Sequence, residues 1–246
     1  MANFRLLFAT LLSVCILFPS TDVRSQEYNI GNGNLGASFM LVFPRGDFKK
    51  EMNDIGFGVN IDLGYTFQPM PLTVGIEGGY ATYGSNTFQV PFSQFASVVT
   101  VEVETSNNMA FGHIFARFQP TQGIFRPYFE GLLGGTYFST SSSVKNKATN
   151  EDIASSLNKN DITFSYGAGG GIAVKVWEGT SENDGHPFEL LIDGRARFLT
   201  GGEATYYTKD AVYQDQGTLE VRFDEKKSKT STTDIMTVHL GVLLRF

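Results

Sequence analysis

The chain has 246 residues, of which 18% are charged, where about 25% is usual in a soluble globular domain, and 13% are aromatic. Its formal net charge of −6 lacks the basic footprint of a nucleic-acid partner, so none is expected. With 22 Phe, 10 Tyr and 27 Gly, the composition disfavours a helical bundle and points to strands joined by turns.

Arg5 precedes the apolar run LLFATLLSVCILF from Leu6 to Phe18, which Pro19 and a polar stretch follow. A run of this length fits a signal-peptide core of about 7–15 residues and falls short of the roughly 20 needed to span a bilayer. Residues 1–25 therefore read as a signal peptide cleaved after Ser25, with residues 26–246 as a single domain. The rival reading of the run is a buried N-terminal helix. Cys15, the only cysteine, lies inside it. A lipid-modified cysteine would need a small residue before it, but Val14 precedes and Ile16 follows. Cleavage at Ser25 leaves 17 basic and 24 acidic residues and no cysteine, so neither a disulfide framework nor a cysteine-based zinc site is available.

Beyond the leader no apolar run is long enough for a spanning helix, and alternation takes over. Eight stretches show it: 34–43, 56–67, 72–83, 109–118, 127–138, 162–177, 188–199 and 237–246. In the second, GFGVNIDLGYTF, Phe57, Val59, Ile61, Leu63, Tyr65 and Phe67 oppose Gly58, Asn60, Asp62, Gly64 and Thr66. The fourth, MAFGHIFARF, has aromatics on both faces; His113 and Arg117 share one, which places Gly112, Ile114, Ala116 and Phe118 on the other. The last, TVHLGVLLRF, sets Val238, Leu240, Val242, Leu244 and Phe246 against Thr237, His239, Gly241, Leu243 and Arg245.

Each stretch is near the roughly 9–11 residues of a tilted membrane strand. The connections 44–55, 84–108, 139–161 and 200–234 are long and polar, whereas 68–71, 119–126 and 178–187 are short and contain Pro. Long loops on one side and short turns on the other predict an all-β, eight-stranded antiparallel up-and-down transmembrane barrel with both termini on the short-turn, periplasmic side. The pieces VVTVEVE (98–104) and TLEVRF (218–223) read as strands continuing above the membrane rather than as extra spanning strands; QDQG (214–217) offers a hairpin turn after ATYYTKDAVY.

With its leader, eight alternating stretches, loop rhythm and closing strand ending on Phe246, the chain resembles the eight-stranded outer-membrane barrel family, the OmpA/OmpX-like porin fold. Its QEYNIGNG start and Gly/Phe-rich strands are similar to small barrels of the Bacteroidetes type. The resemblance implies a bacterial outer-membrane location among lipids and lipopolysaccharide, and a monomer. It also implies that Phe246 is part of a signal read by the barrel-assembly machinery. The chain stops at Phe246, where larger members continue into a peptidoglycan-binding domain.

A soluble lipocalin-like barrel would put the apolar face inside. In a membrane barrel the other face turns inward, and it carries five acids, Asp62, Glu77, Glu130, Glu189 and Asp193, and five bases, Arg117, Lys175, Arg195, Arg197 and Arg245. An eight-stranded interior is just filled by side chains, so such a set is expected to pair into a charge plug rather than leave unpaired buried charge. Phe67, Phe118, Phe129, Phe188 and Phe246 near the short turns, and Phe43, Phe57, Tyr80, Tyr137, Phe164 and Phe198 near the long loops, form two boundary girdles.

Chemistry is sparse. His113 and His239 are expected inward and His186 in a turn; there is no Gly-x-Ser-x-Gly elbow and no His-Glu-x-x-His helix. YGAGGGIAVK (166–175) lacks the Gly-Lys-Ser/Thr ending of a phosphate loop, and DEKKSK (224–229) reads as a solvated loop. No cofactor or metal is expected. The function implied is a non-enzymatic barrel with an envelope role or loops that bind an unidentified extracellular ligand. The alternatives are a lipid A-modifying enzyme, which needs a Ser/His pair near the outer lipid face, and a small diffusion channel, which needs an open lumen.

Overall fold

A computed structural model of the chain describes residues 31–52, 54–91, 100–146, 152–181, 185–207, 212–214, 221–223 and 228–246. The expected signal peptide, and most of DEKKSK, lie outside the described residues.

The first long strand, β1 (Gly33–Pro44), leads through a six-residue helix, α1 (Gly46–Glu51), into β2 (Gly56–Phe67). Then follow β3 (Leu72–Pro91), β4 (Thr100–Phe118), β5 (Phe125–Asn146), β6 (Asp152–Thr180) and β7 (Pro187–Gly201). Four short strands, β8 (Glu203–Tyr207), β9 (Val212–Gln214), β10 (Val221–Phe223) and β11 (Ser228–Thr232), precede β12 (Ile235–Arg245). The barrel closes in the order β1-β12-β7-β6-β5-β4-β3-β2, eight antiparallel strands in all. Burial alternates along them, as in β1, where Leu35, Ala37, Phe39 and Leu41 are exposed and Asn34, Gly36, Ser38, Met40 and Val42 are buried. MAFGHIFARF resolves the same way, with Gly112, Ile114, Ala116 and Phe118 outward.

Register is held by fit as well as by hydrogen bonds. A one-residue slip would turn every lipid-facing apolar side chain of a strand inward and every interior polar one outward. Across β3 and β4, Gly79 faces Phe111; a Cβ on Gly79 would lie 2.3 Å from Phe111 Cζ, so only glycine leaves room for that interior ring. The seam is complete: Asn34 pairs with Arg245 and Pro44 with Ile235, and Gly33 and Phe246 exchange backbone bonds of 2.8 and 3.0 Å.

The strands differ from the sequence expectation in length. Rather than stopping near ten residues, β3 has 20, β4 19, β5 22 and β6 29. β2 follows β3 only as far as Thr82, and β7 joins β6 only from Ser165. Above those points β3 to β6 continue as a four-stranded sheet, so much of the polar stretches 84–108 and 139–161 is paired strand rather than loop. Segment 98–104 enters this sheet from Thr100 as part of β4, and 218–223 contributes β10, which pairs with β9 outside the barrel. β8 pairs with β11 in a second two-stranded ribbon. The pieces of the last loop thus add no spanning strand among the described residues.

Candidate functional site

The interior has two tiers. The one toward the short turns is ionic. The ten charged residues singled out in the sequence all point inward; nine are buried, and Lys175 is partly exposed, its side chain at 24%. Arg195 donates to Asp62 at 2.8 Å and lies 3.6 Å from Asp193, which also accepts from the Tyr128 hydroxyl at 2.7 Å. Glu130 accepts from Arg117 at 2.9 Å and from Arg197 at 2.6 Å. Arg197 reaches on to Glu77 at 2.6 Å, and Arg117 lies 4.0 Å from Asp62. Arg117 and Glu130 are direct cross-strand neighbours of β4 and β5, whereas Arg195 and Arg197 on β7 reach Asp62 on β2 and Glu77 on β3 across the lumen. Arg117 also lies over the Tyr128 ring, 4.5 Å from its centre.

Nearer the short turns, Glu189 is the hub. It accepts both terminal nitrogens of Arg126 at 2.7 and 2.8 Å, with Lys175 at 3.6 Å and Arg245 at 3.8 Å. Arg126 is absent from the sequence-derived set, which left it in the turn 119–126. In the structure β5 begins at Phe125, so Arg126 falls on the inward phase and is almost wholly buried. The available signal was its parity with Tyr128 and Glu130, two and four residues on. Its Nε also donates to the carbonyl of Gly123 at 2.9 Å.

A row of polar groups crosses β3, β4 and β6 at one level. Glu77 contacts His113 Nδ1 at 3.1 Å, His113 Nε2 meets Ser165 Oγ at 2.8 Å, and Ser165 shares a 3.0 Å contact with Thr136. Gly134 on β5 lies between His113 and Ser165 in the register and lets the imidazole reach past it. His239 faces inward beside Ser38 and Thr237, and His186 lies in the turn before β7.

Above the ionic tier the interior turns apolar, and sequence reading missed this. Met40, Val42, Ala81, Tyr83, Met109, Phe111, Phe138, Leu199 and Ile235 line the outer mouth. α1 folds over it and drives Phe48 down, fully buried, with ring centres 5.5 Å from Tyr83, 5.7 Å from Phe138 and 5.2 Å from Tyr206. Phe48 sits in a polar-looking loop, GDFKKE, where no periodicity marks it. The entry is tied by the Arg45 N–H donating to the Asp234 carbonyl at 2.8 Å and by the Lys229–Glu51 pair at 3.3 Å.

The outer wall is the converse. Phe39 is 77% exposed, and Phe57, Ile61, Ile76, Ile114, Phe129, Ile162 and Leu240 also face out. Rings gather toward the short-turn rim in the pairs Phe118–Phe129, Tyr65–Phe67 and Trp177–Phe188. An apolar exterior around a charged interior is the inverse of a soluble barrel and matches a barrel in lipid. The described residues contain no helix long and apolar enough to cross a membrane, and no cluster of metal-ligating side chains.

Residues 7–183 match the family described as the outer membrane protein beta-barrel domain. The chain belongs to that family. This outer-membrane barrel is also similar in fold to solved structures at low identity. Neisserial surface protein A shares 12% identity, with 87% of this chain and 95% of that one covered and a TM-score of 0.38. Ail, the attachment invasion locus protein of Yersinia pestis, shares 14% over 88% and 99%, with a TM-score of 0.37. A major outer membrane protein of Thermus thermophilus shares 10% over 87% and 99%, with a TM-score of 0.38. Among curated proteins none matches. The family match ends before β7, and it is the closed strand order that brings β7 and β12 into the same barrel. The protein is an integral β-barrel of the bacterial outer membrane.

Proposed function

We propose that this outer-membrane barrel is a non-enzymatic, non-conducting envelope protein that presents its extramembrane sheet as a binding surface. The observation that carries the reading is the filled interior. Five carboxylates and the guanidiniums of Arg117, Arg126, Arg195, Arg197 and Arg245 are buried together beneath an apolar stopper. A continuous water path would have to part several buried ion pairs, each broken pair costing about 3–5 kcal/mol. Planar-bilayer recording of the purified barrel tests this: no steady current is expected, and a steady ohmic current would defeat the plug.

The Ser165, His113 and Glu77 row has the hydrogen-bond order of a nucleophile, base and acid. It works here as part of the plug, because all three are buried in the lumen and Glu77 is also held by Arg197. A lipid A-modifying enzyme would need these groups on the outer lipid face. The lipid A profile of a deletion strain is expected to equal that of the parent, and a missing modification would revive the enzyme reading. Lipids and lipopolysaccharide around the wall, and the assembly machinery at Phe246, are the partners this reading assigns.

A further inference from the structure

The four-stranded sheet above the membrane has two edges, and they differ. On the β6 side the register skips at Thr140/Ser141 and again at Val144/Lys145, leaving Asn158 and Ile153 as bulged residues. That edge also carries Asp152 and Lys159, and at its base β8 leans on it, the Thr205 N–H donating to Asp161 at 2.8 Å. Bulges, charges and cover are how proteins blunt an edge. On the β3 side the pairing with β4 runs without a break from Gly84↔Asn107 to Pro91↔Thr100. No other strand among the described residues pairs with this stretch outside β4. Its sequence from Gly84 to Val90, GSNTFQV, contains no charged residue. Past the irregularity at Tyr83, and above a base where Met52 and Asp54 lie against Gly84, it is an unbulged edge whose own residues carry no charge.

We infer that this β3 edge pairs antiparallel with the β3 edge of a second copy carried by an apposed membrane, with Thr87 at the two-fold axis. The inference rests on the surface-binding reading above and names its partner. Three features select that occupant. First, self-pairing about Thr87 sets Gly84 opposite Val90 and Ser85 opposite Gln89, so an axis through this edge brings no like charges together, which would oppose pairing. Second, copies in one membrane are related by an axis along the membrane normal. Both β3 strands then rise outward, and with tilts of about 35–45° they cross instead of running antiparallel. Third, a copy in a facing membrane is related by an axis lying parallel to the two membranes. Rotation about an axis perpendicular to the sheet reverses the strand at any tilt, which is what an antiparallel ladder requires. Two four-stranded sheets then become one sheet of eight across the gap.

The test uses the full barrel in phosphatidylethanolamine/phosphatidylglycerol vesicles, followed by light scattering and by lipid-dye transfer between two vesicle populations. Wild-type vesicles are expected to cluster and protein-free vesicles to stay dispersed. Thr87 is exposed and faces Glu104 of β4, so Lys is favoured there and Asp opposed within the fold. Heat-modifiable gel mobility confirms that each variant is folded before it is scored. Thr87→Lys vesicles and Thr87→Asp vesicles are each expected to fall to the protein-free level, while a mixture of the two clusters again. Residues 26–246 contain no cysteine, so Thr87→Cys should give disulfide-linked dimers within wild-type-like clusters and Asn160→Cys on the β6 edge should not. Clustering that survives Thr87→Lys, or a Lys/Asp mixture that stays dispersed, overturns the pairing. So does a lack of wild-type clustering. These outcomes leave the plugged barrel standing, since the absence of bilayer current is read separately.

Discussion

Arg126 and Lys175 show how burial sets the value of a charge. Both reach Glu189, Arg126 through two short bonds from a buried guanidinium, Lys175 at 3.6 Å from a partly exposed amine. Arg126→Met is expected to cost about 3–5 kcal/mol, because it leaves Glu189 undercompensated in a dry interior. Lys175→Met is expected to cost no more than about 1 kcal/mol, as for an exposed pair. Urea unfolding of the refolded barrel, followed by tryptophan fluorescence, measures both, and equal losses would show that Glu189 is satisfied by its neighbours collectively. The ten charges were legible in the sequence because strand alternation has a period of two and outward positions were visibly apolar. Arg126 was not, because parity could not be carried across a turn whose end was placed at residue 126.

At the scale of the element, α1 and β12 carry the two tests. α1 has no side-chain hydrogen bond at its N-cap and is only six residues long, so its position depends on Phe48 in the mouth. Phe48→Ala is expected to destabilise the barrel by about 3–5 kcal/mol through the cavity left among Tyr83, Phe138 and Tyr206. Proteolysis of the α1 segment should rise in parallel, and a variant as stable and as protease-resistant as wild type would contradict the stopper. β12 is followed by Phe246, whose backbone pairs with Gly33 and whose outward ring lies over it. Phe246→Ala should lower outer-membrane levels in cells more than it lowers the stability of barrel refolded in vitro. Normal cellular levels would remove the assembly role from this residue.

For the whole molecule, the proposed plug predicts that the two tiers act as independent barriers, since the apolar mouth and the ion-paired interior share no hydrogen bond among those described. Phe48→Ala alone is therefore expected to remain non-conducting in a planar bilayer. Removing Glu130 as well, with Arg117 and Arg197 losing their common acceptor, should produce measurable current. Current from Phe48→Ala by itself would mean that the ionic tier does not seal.

The barrel class, the strand count, the inward and outward faces and most of the ionic set follow from sequence alone. They rest on local rules: alternation fixes the face, and the spacing of polar connections fixes the topology. What only the tertiary structure decided depends on which distant residues meet. VVTVEVE alternates and was legible as a strand, but the polar residues of 84–91 and 139–146 lack an apolar alternation to betray them, and they form strands because neighbours already in register extend the ladder. Phe48 becomes a stopper because the chain bends α1 over a mouth lined by β1, β3, β4, β5, β7, β8 and β12. Arg195 and Arg197 find Asp62 and Glu77 only because closure of β1 on β12 brings opposite walls within reach. The upper part of β3, too, has no strand partner besides β4 among the described residues because β2 ends at Gly56 while β3 continues past it, a difference of lengths that appears only once the strands are paired.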